Sequence, residues 1–200
     1  MLKLFLSLLL FSASALADTA PDAVVKQMVD DVLSPIRQDR SITKDPARLD
    51  AIVDASVFPH LDLERLSRLT VGKDYWKQAT PDDREKLVGE YHMFLLHAFS
   101  DVISQYTDQT ILYLPFRMKP DAKEVMVKTV VMDPRDESTE LDYRLEKAGG
   151  SWLIYDVDID NMSMIRIYHS NFGDALTEGG VNRLIGMLHE KNLKVEASRK

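Results

Sequence analysis

The side chains best suited to chemistry in this chain are scattered rather than clustered. Five histidines, His60, His92, His97, His169 and His189, are the natural candidates for metal binding or proton transfer. His92 and His97 lie five apart in a helical stretch, about 140° around the axis, so they do not offer two ligands to one metal from one face. The other three stand alone, and each histidine is read as a structural or solvent-facing side chain. The run Asp156-Val157-Asp158-Ile159-Asp160-Asn161 opens like a calcium loop. That loop requires Gly at its sixth position and Glu at its twelfth, where this chain has Asn161 and Ile167. Acids alternating with Val157 and Ile159 instead describe a strand with one wet face and one buried face. Asn161-Met162-Ser163 fits a glycosylation sequon, which matters only in a host with that machinery.

Nucleotide and hydrolase motifs are missing as well: the sequence contains no Gly-rich phosphate loop, no Gly-x-Ser-x-Gly elbow and no His-Glu-x-x-His. The chain has no cysteine, which removes thiol nucleophiles, thiolate metal sites and redox chemistry. No cofactor is expected, and the chain is read as a non-enzyme. A Ser-His-Asp triad stays open as an alternative, since such triads are assembled in space rather than in sequence.

The N-terminus points outside the cytoplasm. Lys3 precedes the apolar stretch Leu4 to Phe11, and Ala15-Leu16-Ala17 supplies the small residues of a cleavage site, so residues 1–17 read as a secretory signal. A membrane anchor would need about 20 apolar residues. The mature chain is expected to start at Asp18 with no Cys to carry a lipid anchor, and to be soluble. About 180 residues suit one domain, residues 18–193, with a frayed basic tail over 194–200. Formal net charge is −7 for the full chain. An acidic chain is a poor partner for nucleic acid and for anionic lipid surfaces, so protein partners are the better expectation.

The elements that must position any site follow from periodicity. Helical spacing covers Pro21 to about Leu33, ending or bending near Pro35, then Pro46 to Ala55 and Asp62 to Leu69, with Gly72 as a C-cap. Thr80-Pro81-Asp82-Asp83 carries the marks of a capping box and opens a long helix to about Tyr106. The period then shifts to two. Strands are expected over Thr110 to Met118 (broken at Pro115), Glu124 to Met132, Thr139 to Glu146 and Ser151 to Ile159, with Gly149-Gly150 as a hairpin turn. Helical spacing returns after Ser163, breaks near Gly179-Gly180 and resumes from Val181 to about Asn192. The fold class is therefore α+β: a twisted antiparallel sheet of about four strands with several helices packed on one face.

Trp152-Leu153-Ile154-Tyr155-Asp156-Val157, followed by Asn161-Met162-Ser163, Tyr168 and Phe172, resembles the signature of the MlaC, or toluene-tolerance, family. Further matches run in order through the chain, among them Arg68-Leu69-Thr70-Val71-Gly72, Trp76, Ala79-Thr80-Pro81, Tyr113-Leu114-Pro115 and Leu184-Ile185. Asn161 departs from the family's usual Gly and His169 from its usual Arg; Asn is the side chain that best tolerates positive φ, so the turn survives. The resemblance implies a periplasmic phospholipid carrier that takes no part in chemistry. It would pass lipid between an outer-membrane lipoprotein–porin complex and an inner-membrane ABC transporter with a lipid-binding ring, maintaining outer-membrane asymmetry. It also implies an apolar cavity between the helices and the sheet. A periplasmic chaperone or stress-tolerance protein, or a lipid or ester hydrolase on the same fold, are the alternative readings.

A lipid carrier must hide hydrocarbon. At about 0.8 kcal/mol per methylene, two sixteen-carbon tails cost roughly 25 kcal/mol to expose in water. The residues expected to cover them lie on the inward sheet face: Val125, Val127, Leu141, Tyr143, Leu145, Trp152 and Ile154. Phe94, Phe99 and Ile167 would close the space from the helix side, while Val157 and Ile159 are assigned to ordinary core. Tyr75 and Trp76 are placed in a loop after Gly72, where they either pin that loop or form an entrance lip. Arg65, Arg68, Lys73 and Lys77, beside Asp74, form a locally basic strip read as a docking surface.

Overall fold

The computed structural model describes residues 19–134 and 137–199. The signal segment, residues 1–17, lies outside them. Among the described residues the chain forms α1 (Pro21–Gln38), α2 (Pro46–Val57), α3 (Leu63–Val71), α4 (Lys73–Gln78) and α5 (Pro81–Ser104), then β1 (Thr110–Tyr113), β2 (Glu124–Met132), β3 (Ser138–Ala148), β4 (Ser151–Ile159) and β5 (Met162–Ser163), and finally α6 (Met164–Ser198). The strands form one antiparallel sheet in the order β1-β2-β3-β4-β5, so the α+β class and the meander stand as read from the sequence, with a short fifth strand added. No helix of the described residues is long and apolar enough to cross a membrane.

Local chemistry explains most boundaries. Pro46 and Pro81 occupy first helical positions, where a missing N–H costs nothing. The Thr80 hydroxyl accepts from the Asp83 N–H at 3.1 Å while Asp83 accepts from the Thr80 N–H at 3.1 Å, completing the capping box. Asp62 caps α3 through the Arg65 N–H at 2.8 Å. At the hairpin, Gly149 and Gly150 take φ values of 57° and 90°. Asn161 also has positive φ, 65°, which is how the turn tolerates a side chain where the family pattern has Gly.

Several elements differ from the sequence reading. Helix α1 runs through Pro35 to Gln38, because fully buried Ile36 ties the last turn to the core and the proline costs one backbone bond. Strand β1 ends at Tyr113; the Leu114 N–H still reaches the Lys128 carbonyl at 3.0 Å, but Pro115 has no N–H to continue the ladder. Tyr75 and Trp76 lie on a short helix rather than a loop, and Trp76 is buried, with the Arg84 guanidinium 5.2 Å above its ring. The segment 194–198, expected to fray, continues α6. Arg199, beyond its end, pairs with Asp50 at 2.6 Å and Asp101 at 2.7 Å and fastens the C-terminus to α2 and α5. Gly179-Gly180 interrupts α6 as its sequence suggests, with Gly180 at φ 64°, ψ −154°, close to a region that only glycine enters readily.

Two apolar clusters form around these layers. One joins the helices, with Leu66, Tyr91, Leu95, Phe172, Leu184 and Leu188 at its centre. The other joins the inner face of the sheet to the first half of α1, through Val24, Val25 and Met28 against Val127, Leu145 and Trp152.

Replacing Gly180 with Ala should lower unfolding stability by about 1–3 kcal/mol, read as a shift in the urea midpoint at constant slope. Gly89→Ala, in α5 with open space where the Cβ would sit, should leave it unchanged or raise it.

Candidate functional site: an apolar chamber between sheet and helices

The centre of the site is an irregularity in β4. Leu145 pairs with Ile154 and Arg144 with Asp156, so Tyr155 is an extra residue, a β-bulge. Before the bulge, Trp152 and Ile154 face inward. After it the alternation is reversed, and Val157 and Ile159, paired with Tyr143 and Leu141, face inward instead. The assignment of Val157 and Ile159 to ordinary core is corrected accordingly: both line a cavity, and Ile159 is 37 % exposed at its edge.

That cavity has a volume of about 280 Å³ and lies between the two apolar clusters. Its sheet wall is made by Leu141, Tyr143, Ile154, Val157 and Ile159. Helix α1 supplies Met28, Val29, Val32 and Leu33, and α5 supplies Phe99, Val102 and Ile103. Leu66 and Met164 close the back. The tight packing of α1 on the sheet through Val24 and Val25 gives way to open space toward Leu33, so the chamber widens along the helix. Val102, 70 % exposed, marks the open side. Tyr143 and the buried Asp156 are the polar residues of the sheet wall; burial pushes the Tyr143 phenol up to about 12, so it stays neutral.

Of the ten residues expected to cover hydrocarbon, the structure brings Leu141, Tyr143, Ile154 and Phe99 to the chamber. Val125, Val127, Leu145 and Trp152 do lie with the inner sheet face but pack against α1 in the closed cluster. Phe94 is elsewhere: it stacks among Tyr91, Tyr168 and Phe172, at 5.3 Å from Tyr168, within the helix layer. Ile167 is half-buried off the chamber, and Met164, one turn earlier, stands at the wall instead. The α1 residues were missed because an apolar stripe facing a chamber has the same spacing as one facing a filled core.

The family-like signature now has a physical role. Asp156, buried at the bulge, accepts from the Ser163 hydroxyl at 2.6 Å, from the Ile165 N–H at 3.1 Å and from the Val157 N–H at 3.0 Å. Ser163 in turn caps α6 through the Arg166 N–H at 3.3 Å. One carboxylate thereby fixes both the bulge and the start of the helix that contributes Met164. On the outside, the bulged Tyr155 ring lies 3.8 Å below the Arg65 guanidinium, which also pairs with Glu124 at 2.6 Å and with Glu146. Arg65 is therefore withdrawn from the proposed basic strip, whose exposed members are Arg68, Lys73 and Lys77. The His169 Nδ1 lies 2.7 Å from the Thr70 carbonyl and so donates there, tying α6 to α3.

An antiparallel sheet layered with helices, with an apolar chamber between the layers, defines this α+β protein. The chain belongs to the MlaC family: residues 26–190 match the model described as MlaC protein. It is similar to the intermembrane phospholipid transport system binding protein MlaC of Haemophilus influenzae, 23% identical over 193 residues, which span 94% of this chain and 90% of that protein. It is also similar to the toluene tolerance protein ttg2D of Pseudomonas putida, 21% identical over 171 residues, 85% of this chain and 79% of that one. Among solved structures, the phospholipid-binding protein of Ralstonia solanacearum in complex with a phospholipid superposes with a TM-score of 0.80 at 30% identity, covering 90% of this chain and 99% of that chain.

Asp156→Ala should remove three hydrogen bonds to a buried carboxylate and lower stability by about 2–4 kcal/mol in urea unfolding. Asp156→Asn, which keeps the shape, should retain part of it. Equal stability of all three proteins would show that the bulge does not depend on this contact.

Proposed function

We propose that this chain is a periplasmic phospholipid carrier whose chamber shields acyl tails. It shuttles lipid between an outer-membrane lipoprotein–porin complex and an inner-membrane ABC transporter bearing a lipid-binding ring, and thereby maintains outer-membrane asymmetry. The observation that carries this reading is the apolar space of about 280 Å³ between the layers, lined mainly by apolar side chains and open beside Val102. The phospholipid held by the Ralstonia solanacearum relative supports it.

Small-molecule sites range over roughly 300–1,000 Å³, so the chamber sits at the lower edge of that range. Two full tails require the sheet and the helix layer to separate along the existing gap. Moving a tail from a bilayer into such a chamber gains little, because both sites are apolar; the direction of transfer is then set by the partners. The acidic protein does not adsorb readily to anionic lipid, and the exposed Arg68, Lys73 and Lys77 give its partners a surface to grip.

A hydrolase is disfavoured by one arrangement. Among the described residues, the triad-type side chains Asp50, His97 and Ser100, off the chamber, are not linked by hydrogen bonds: Asp50 Oδ1, His97 Nδ1 and Ser100 Oγ are buried atoms without a partner. They form no relay of the kind that activates a serine.

Denaturing extraction of the purified protein followed by mass spectrometry should release stoichiometric phospholipid. Val157→Trp, which fills the chamber, should reduce that content at least tenfold while the lipid-free protein keeps its circular dichroism spectrum, and the smaller Leu141→Phe should reduce it less. Undiminished lipid in the filled variant, or none in the wild type, would overturn the proposal. Lys73→Glu combined with Lys77→Glu should weaken capture by the membrane complexes and leave lipid content unchanged, measured by pull-down alongside the same extraction.

A further inference from the structure

The two edges of the sheet differ. At one, β5 is two residues long and Leu61–Asp62 covers the first half of β4. The other edge is β1, and no strand of the described residues lies beyond it. The phase of its hydrogen bonds is set by the Leu114 N–H, which donates to the Lys128 carbonyl directly opposite at 3.0 Å. Antiparallel bonds alternate along a strand. Thr110 and Leu112 therefore also turn their backbone groups toward β2, while the N–H and C=O of Ile111 and Tyr113 point away from it. Among the described residues nothing bonds these four groups.

The side chains beside this edge are apolar and exposed, where a solitary edge strand ordinarily carries charge. Leu112, Leu114 and Met132 share the outer face of the sheet, and all three are exposed. Lys128, the next side chain across from Leu114, is bound to Asp142 at 2.6 Å, and Arg144 beyond it to Asp158 at 2.5 Å. The outer face is thus ionic over its middle strands and apolar along the β1 rim.

The rim is also complementary to itself. Set antiparallel to a second β1 about Leu112, it places Ile111 opposite the second copy's Tyr113, and Tyr113 opposite the second copy's Ile111. The four unpaired backbone groups of each copy are then all used, in four hydrogen bonds. Leu112 falls on the twofold axis and meets its own copy on the outer face. The ends of the strand are of opposite charge. Asp108, exposed although it pairs with Arg40, precedes the strand, and the exposed Arg117, with no ion pair among the described residues, follows it. Antiparallel pairing sets the Asp108 end of each copy beside the Arg117 end of the other.

We propose that two copies of this chain join through β1, extending the five-stranded sheet into one of ten strands. A second copy is the occupant because register, leucine contact and end charges are all satisfied by the same four residues and their flanks. The opposite edge is covered, so the assembly closes at two copies and does not grow into a filament. Pro115 limits the paired stretch, which keeps the interface small and the dimer readily dissociated. Pairing within the plane of the sheet leaves both inner faces on one side, so the two chambers, each bordered by Ile111, come to lie side by side. The inference is independent of what the chamber holds.

The test is sedimentation equilibrium of the chain from residue 18 onward, over roughly 10–1,000 µM, the range suited to a small interface. The mean mass should rise from that of one chain toward that of two. Leu112→Lys, an exposed position that leaves the fold intact, sets like charges against each other on the axis and should raise the concentration of half-dimerisation roughly tenfold. Arg117→Glu should raise it roughly threefold. Amide exchange followed by NMR locates the contact: protection of the Ile111 and Tyr113 N–H groups should grow with protein concentration, while that of Leu112 and Leu114 is present throughout. A mass that stays at one chain up to the highest concentration overturns the proposal, and so does one that climbs past two. Dimerisation of undiminished strength in Leu112→Lys, or without new protection at Ile111 and Tyr113, places the interface elsewhere and overturns it as well.

Discussion

The structure depends on one inserted residue and one carboxylate. A regular β4 would present Asp156 and Asp158 to the interior and Val157 and Ile159 to solvent, which no apolar layer could tolerate. The bulge at Tyr155 reverses that, and Asp156, left at the point of reversal, becomes the anchor for Ser163 and the first turn of α6. Beyond the bulge, Asp158 meets Arg144 in a two-point contact on the outer face, at 2.5 and 3.2 Å, beside the Lys128–Asp142 pair at 2.6 Å. The inside becomes aliphatic and the outside ionic from a stretch of sequence that alternates acid and aliphatic throughout.

Beside the bulge an apolar gap remains between sheet and helices where a close-packed core would be expected. Voids of this kind are costly, because the atoms that line them lose dispersion contacts. The protein tolerates the gap by placing a well-packed cluster on each side. The aromatic set of Tyr91, Phe94, Tyr168 and Phe172 stiffens the helix layer, while Val24, Val25 and Trp152 close the sheet against the start of α1.

Edges are managed with equal economy. Strand β5 pairs only with Asp158 and Ile159, so the first half of β4 has no strand on that side, and the segment Leu61–Asp62 supplies a neighbour: the Asp62 N–H donates to the Ile154 carbonyl at 2.8 Å beside a parallel bridge from Leu61. Arg65, one turn further on, covers the displaced Tyr155 ring and neutralises Glu124 and Glu146 on the flanking strands. A charge that reads in sequence as part of a free basic strip thus seals the sheet.

The sequence by itself determined the order of the longer helices and the first four strands, the capping box at Thr80, the glycine hairpin, the break at Gly179-Gly180 and the antiparallel meander, because each rests on local periodicity and short-range backbone chemistry. It also carried the family signature, although the reason for Tyr155-Asp156-Val157 could not be read from it. Tertiary structure decided which apolar residues face open space. Leu33 in α1 and Phe94 in α5 have the same character in sequence, yet one borders the chamber and the other fills the helix layer, since spacing reports a buried face and not what lies opposite. It also decided the faces of Val157 and Ile159, because a single bulge inverts every later position of a strand and leaves no mark in the alternation that precedes it.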